Sequence, residues 1–326
     1  MKLAQDRTTV GFGRRKNKQR EQQKENKLLL LSWGWNNIFM AILGIIGLST
    51  VAPLVLMIII SFSTKASLQH KGYSFFPEGF TLDAYKYLFQ TGDQIINSYV
   101  ITIFYAVVGT VLTLLFTSTM AYVVFQKDFP YRKFLTWFMF IPMLFSGGLI
   151  PSYILNTRYL HLQNTIWIFL LSGLVGCWGV IILRTFMKSA IPDGLIEAAR
   201  IDGAGHFRIF FSIVTPLLKA GLATLGLFTL VGRWGDWFTG LLYIDSSKAR
   251  LIPLQTMLWN LEANLDFMKN SSHVARSPEM IAMMKGLPEQ SVRMSCTVVV
   301  ILPILFAYPF FQRYFVQGMV VGSIKE

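Results

Sequence analysis

The sequence predicts an all-α membrane protein that crosses a bilayer six times. Three observations carry this. The 326 residues are 53% hydrophobic and only 14% charged, with mean hydropathy +0.48, whereas soluble domains carry about 25% charge. Six stretches are apolar over the roughly 20 residues that a helical span requires. No polar stretch has the length or pattern of a soluble domain. The net charge of +13 does not point to nucleic acid, because the cations sit at the ends of apolar runs and not on a folded basic face. Cys177 and Cys296 lie inside apolar runs and read as small hydrophobes, not as a disulfide or a metal site.

Residues 1–37 form a basic N-terminal extension whose Arg14–Arg20 run suits either a solvated tail or contact with anionic lipid. The Ser61–Lys65 stretch after the first apolar run lacks a small-residue cleavage site, which argues against a removed signal peptide. The remainder, 38–326, holds the spans Ile38–Ile60, Ile95–Phe125, Phe134–Leu155, Thr165–Leu183, Leu217–Ile244 and Met294–Phe311. Arg233 and Asp236 interrupt the fifth. Glycines at 44, 47, 147, 148, 173 and 176 permit close helix approach, and Pro142, Pro151 and Pro303 can kink or loosen a span. Most of the 30 Lys and Arg fall on the same side as the N-terminus, which places both termini in the cytoplasm. The loop 245–293 is then external, with Leu251–Leu261 and Pro278–Met284 as short helices near the surface.

The cytoplasmic loop 189–216 has the most specific pattern. Pro192 suits a first helical turn and Asp193 a cap. Leu195, Ile196, Ala198, Ala199 and Ile201 offer an apolar face, and Glu197, Arg200 and Asp202 a polar one. Gly203 and Gly205 end the turn. A helix of about ten residues is marginal alone in water, so it needs a surface, either on its own spans or on another protein. Glu197-Ala198-Ala199, Gly203 and Ile213 with Pro216 match at full spacing the EAA loop of permease subunits of binding-protein-dependent ATP-binding-cassette (ABC) importers, with Thr215 in place of the usual Leu. Ser61-Phe62-Ser63, Phe76-Pro77, Thr81-Leu82-Asp83-Ala84-Tyr85, Ser146–Tyr153 and Asn164-Thr165-Ile166-Trp167 resemble the carbohydrate-uptake branch. The tail Tyr308–Gly318 is similar to importers of polysaccharide fragments, including the alginate type.

The resemblance implies a type I importer fold with a cytoplasmic coupling helix in a bacterial inner membrane. It implies a second homologous permease subunit, a cytoplasmic ATPase dimer that binds ATP and Mg, and an extracytoplasmic solute-binding protein. Glu197, Ala198, Ala199, Asp202, Gly203 and Ala204 would form the contact with the ATPase.

The chain itself shows no G-x-x-x-x-G-K-[ST] loop, so no nucleotide cofactor of its own is expected. Its four histidines are scattered, which points to no metal site and no catalytic residue. Arg233 and Asp236 share a helix face. They suit either an ion pair near the outer interface, with Trp234 and Trp237 as belt residues, or the lining of a translocation pathway. In the second case Arg233 offers a fork for carboxylate, and the aromatic faces stack on sugar rings, which leads to an acidic, uronate-containing oligosaccharide. An ion-coupled secondary transporter, with Arg233–Asp236 as coupling pair, is the rival reading.

Overall fold

The computed structural model describes residues 33–90, 92–192, 194–270 and 289–323. The Arg14–Arg20 run, Asp193 and the Pro278–Met284 segment therefore lie outside the described residues. The chain divides into two units, residues 1–59 and 60–326. The first is represented by α1, Trp33–Ser61. Most of its apolar side chains from Trp35 to Val55 are exposed, with Leu43, Ile45 and Leu48 among the barest, as suits a helix whose solvent is lipid.

The second unit starts from the segment after α1. Ser63 and Phe80 form an isolated antiparallel bridge, flanked by Thr81 N–H to Phe62 O at 2.7 Å and Thr64 N–H to Gly79 O at 3.1 Å. Between them lies α2, Lys65–Lys71, capped by the Thr64 hydroxyl. The helix α3, Asp83–Gln90, follows. Its Tyr85 shares a 2.8 Å hydrogen bond with Ser61 and packs its ring 4.9 Å from Phe62. The Ser-Phe-Ser and Thr-Leu-Asp-Ala-Tyr segments, 20 residues apart in sequence, thus close on each other.

The centre of the unit is α4, Gly92–Phe125, against which the later helices pack. The predicted span Phe134–Leu155 is not one helix. It consists of α5, Arg132–Leu144, and α6, Leu149–Ile154, continued by a π turn to Tyr159 and bent by 117°. Gly148, at φ 86°, makes the break, because only glycine takes that torsion without strain. The predicted span Thr165–Leu183 is likewise two pieces, α7, Trp167–Leu171, and α8, Cys177–Ala190, parted by a turn with Gly173 at φ 66°.

After the short helix α9, Leu195–Ile201, come α10, His206–Ile209, a π turn Phe210–Val214 and α11, Thr215–Leu217. An 80° bend leads into α12, Lys219–Trp234. The predicted span Leu217–Ile244 therefore starts late and stops early, with α13, Phe238–Tyr243, as a separate turn. Thr215 donates its hydroxyl to Phe210 O at 2.8 Å, which helps satisfy the backbone where the π turn meets Pro216.

A 3-10 turn, Ser246–Leu251, precedes α14, Leu254–Asn270. This corrects the expectation of a surface helix at Leu251–Leu261. Leu254, Met257 and Leu258 are buried, an i, i+3, i+4 stripe that inserts into the core. The last helix is α15, Glu289–Ser323. Its Pro303 cannot donate to the Val299 carbonyl. The Tyr99 hydroxyl donates to that carbonyl instead, and Trp234 Nε1 donates to Val300 O at 3.1 Å.

Among the described residues, three helices are long and apolar enough to cross a membrane, Gly34–Ser61, Asp93–Phe125 and Glu289–Ala307, or up to five if each bent pair is one span. Two apolar clusters hold the unit together. The upper one joins Leu88, Tyr105, Phe169, Trp234, Tyr243, Leu254 and Cys296. The lower one joins Tyr122, Leu183, Met187, Ile209, Phe210 and Leu218.

One polar joint fixes the top of the broken helices. Asn164, at φ 59°, donates to Asp245 Oδ2 at 2.6 Å and accepts the Asp245 N–H at 2.8 Å. Asparagine tolerates that left-handed torsion better than other side-chained residues. Asn164→Ala is expected to cost about 2 kcal/mol, two hydrogen bonds at about 1 kcal/mol each, read as a lower melting temperature in detergent. Asn164→Gly should cost less, since it keeps the torsion. Equal melting of the alanine variant and the parent would remove the joint from the account.

Candidate coupling and translocation sites

The predicted coupling residues lie on one turn at the lower end of the unit. The helix α9 has seven residues, not about ten. Pro192 stands outside it, and Gly194, at φ 87°, starts it in place of a side-chain cap. Ala204 N–H closes back on Ala199 O at 2.9 Å, and Gly203 N–H on Arg200 O at 3.0 Å, with Gly203 at φ 79°. Gly205 is extended and opens α10.

The faces differ from the sequence expectation. Leu195, Ile196, Ala199 and Ala204 pack on the lower core. Ala198 and Ile201, expected on that same apolar face, point the other way with Glu197 and Asp202, all exposed. Ile201 is 86% exposed and the neighbouring Phe207 82%. Covering either side chain is worth about 1.5–3 kcal/mol, so the turn offers an apolar contact ringed by charge.

Sequence reading missed what anchors this turn. Arg200 donates to Asp128 Oδ2 and to Gln126 Oε1, both at 2.7 Å. That fork ties α9 to the α4–α5 connection more than 70 positions away, and no local pattern marks the partners. The fork borders a mostly apolar cavity of about 570 Å³, walled by Tyr122, Phe129, Phe207, Phe210 and Phe211.

The second predicted set gathers at the end of α12. Arg233, Asp236 and Trp237 line a cavity of about 390 Å³ with Ser172, Thr229 and Thr239. It opens beside the α7–α8 break, where irregular backbone is tolerated because it borders a polar space. Arg233 does not pair with Asp236, and among the described residues no carboxylate lies within 4 Å of it. Its guanidinium donates instead to the Phe169 carbonyl and to Thr113 Oγ1 at 2.9 Å. Phe169 sits in the last turn of α7, whose carbonyls lack helical partners. The room for this reach comes from Gly109, where an added Cβ would lie 2.7 Å from the guanidinium. Asp236 accepts the Thr239 N–H at 3.0 Å. The expected interfacial ion pair is thus replaced by a three-helix tether, and the coupling pair of an ion-driven carrier is not formed.

Trp234 and Trp237 part company. Trp234 is buried in the upper core, bonded to Val300 O. Trp237 is 40% exposed, stacked on Trp259 with centroids 5.5 Å apart and planes 15° apart.

Residues 117–321, which run from the lower half of α4 through α9 and into α15, match the family described as binding-protein-dependent transport system inner membrane component. The chain belongs to this family. It is a permease of a binding-protein-dependent ABC importer, a transport component and not a catalytic one, the hydrolysis of ATP residing in other subunits. The permease is 37% identical to the protein LplC of Bacillus subtilis strain 168 over 283 residues, 87% of this chain and 92% of that one. It is 34% identical to YtcP of the same organism, a polygalacturonan/rhamnogalacturonan transport system permease protein, over 84% of this chain and 92% of that one. Its fold matches a chain in the crystal structure of a bacterial ABC transporter involved in the import of the acidic polysaccharide alginate. The TM-score is 0.74 at 26% identity, covering 88% of the permease and 99% of that chain.

Proposed function

We propose that this permease imports an oligosaccharide containing uronate units, driven by a separate ATPase through α9. The exposed face of α9, rooted on the lower core while Glu197, Ala198, Ile201 and Asp202 stay bare, carries the coupling half of the reading. A short helix whose inner face is already satisfied has its outer face left for a partner. Gly203 sets the turn and Ala204 fastens it, so that closure of an ATPase dimer around bound ATP and Mg moves α9 together with the lower core. In this reading the bent and broken helices each count as one crossing. That gives six spans with both termini in the cytoplasm of a bacterial inner membrane, beside a second permease subunit and a solute-binding protein on the outside.

The substrate half rests on the upper cavity. Trp237 supplies an aromatic face, Asp236 an acceptor for sugar hydroxyls, and Arg233 a positive charge that no carboxylate among the described residues pairs within 4 Å. Trp234 supports the wall from within the core. The relatives named for polygalacturonan and for alginate handle acidic polymers, in keeping with that charge.

The test is ATP-driven uptake by the reconstituted importer, with its own binding protein, of acidic against neutral oligosaccharides of equal length. Acidic chains are expected to stimulate vanadate-sensitive hydrolysis, and Trp237→Ala to lower their uptake about tenfold, the loss of about 1.4 kcal/mol of stacking. Uptake driven by an ion gradient without ATP would sink the coupling half. Equal handling of neutral and acidic chains would sink the substrate half alone.

A further inference from the structure

A second cavity at the lower end of the unit, about 670 Å³, is lined by Lys127, Arg132, Lys133 and Arg184, with Asp128, Phe129, Thr136 and Trp137. Among the described residues its charge is unbalanced. Asp128, the one acid among the described residues of the lining, is already held at 2.7 Å by Arg200, which lies outside it. Among the described residues, Arg132, Lys133 and Arg184 have no carboxylate within 4 Å. Arg184 Nε is shut off from solvent and has no hydrogen-bond partner among the described residues, a state that costs stability unless something accepts from it.

Cations at the ends of spans are ordinary determinants of membrane orientation. Those, however, extend into water singly. Here three elements, the α4–α5 connection, the first turn of α5 and the last turns of α8, turn their cations into one hollow. What adjoins the hollow identifies the ligand. From Lys133 onward α5 presents Phe134, Trp137, Phe138 and Ile141 outward, each more than half exposed. A row of bare aromatic and aliphatic side chains running away from a basic hollow matches the two parts of a phospholipid, the phosphate in the hollow and an acyl chain along the row. A free phosphate or an acidic protein segment would use the first feature and leave the second unexplained.

We propose that Arg132, Lys133 and Arg184 form a site for the phosphate of an anionic phospholipid, with Phe134, Trp137 and Phe138 along its acyl chain. The lipid would brace the α4–α5 connection. That connection also carries Asp128 and Gln126, the two residues that hold Arg200 and hence α9.

The experiment titrates the purified importer complex in detergent with phosphatidylglycerol, phosphatidylcholine and inorganic phosphate, and counts bound lipid by native mass spectrometry. Saturable binding of phosphatidylglycerol is expected. Arg132→Gln/Arg184→Gln should weaken it roughly 25-fold, the loss of two cations near a membrane surface. The matched control Lys188→Gln/Lys219→Gln, at exposed cations outside the hollow, should stay within about twofold. If the double variant fails to fold, Lys133→Gln at an exposed position is expected to lose roughly fivefold. The proposal is overturned if the complex shows no saturable phosphatidylglycerol binding, as it would if a partner subunit fills the hollow. It is also overturned if phosphatidylcholine binding falls in parallel. Complete displacement of the lipid by inorganic phosphate at equal concentration would reassign the hollow to a free anion and overturn it too.

Discussion

Alanine at Gly240 is expected to destabilise the permease by about 3 kcal/mol, the upper end of what overpacking a tight core costs. A Cβ there would lie 2.1 Å from Thr256 Oγ1 and 2.8 Å from Pro253 Cδ. Neither neighbour yields cheaply. Thr256 is 2% exposed and donates to the Trp237 carbonyl at 2.8 Å, and the proline ring has no rotamer to change. Relief must come from moving α14 away from α13, and that movement draws Trp259 off Trp237 and opens the floor of the upper cavity. The measurement is thermal unfolding in detergent, with tryptophan fluorescence as the local probe. A lower melting temperature and a changed emission are expected together. Thr256→Ala in the same chain should restore part of the loss by removing the nearer obstacle, but not the part due to Pro253. A Gly240→Ala variant that melts with the parent would show that the two helices are less closely joined than the geometry has them.

What could be read from the sequence, and what could not, divides along the range of the forces involved. Apolar length is a local property, so α1, α4 and α15 are visible as runs, the first two with ends within about five residues of the predicted ones, whereas α15 runs on well past Phe311 to Ser323. The breaks are harder. Gly147-Gly148 and Gly173 mark two of them, but glycine pairs in spans serve close packing as readily as bending, and only the torsions of Gly148 and Gly173 decide between the uses. The helix α14 reads as a surface helix because it lies in a polar connection, whereas Gly240 makes the space, and Thr102, far away in sequence, the hydrogen bond, that draw it inward. At the candidate sites the residues of the predicted coupling turn stand out because six fixed positions mark them. Their orientation does not, since Ala198 and Ile201 could serve either face until the lower core was in place. Arg233 is the plainest case. Its nearest sequence partner is Asp236, and its real partners are a hydroxyl on α4 and a backbone carbonyl on α7, neither of which leaves a mark in residue spacing.

Valine at Gly203 is expected to reduce ATP-driven uptake at least tenfold while leaving the melting temperature close to that of the parent. Nothing lies within 4 Å of a Cβ at this position, so space is not the obstacle. The obstacle is torsion. Gly203 holds φ 79°, a region that costs an L-residue about 1–2 kcal/mol and more for a branched side chain. The helix before it has seven residues and little stability of its own to set against that cost. The turn is therefore expected to refold locally, giving up the Ala204–Ala199 hydrogen bond and rotating Ile201 and Phe207 away from their present exposure. Neither apolar cluster depends on Gly203, so global stability is spared. Asparagine tolerates the left-handed torsion, and Gly203→Asn is expected to keep most of the uptake. That pair of variants separates backbone geometry from side-chain chemistry. If asparagine and valine fail alike, the turn acts through something other than its torsion. If both transport normally, α9 does not transmit the force of ATP hydrolysis. Binding-protein-stimulated hydrolysis measured alongside uptake locates the defect. An intact ATPase that no longer responds to loaded binding protein is the expected signature of a lever that has lost its shape.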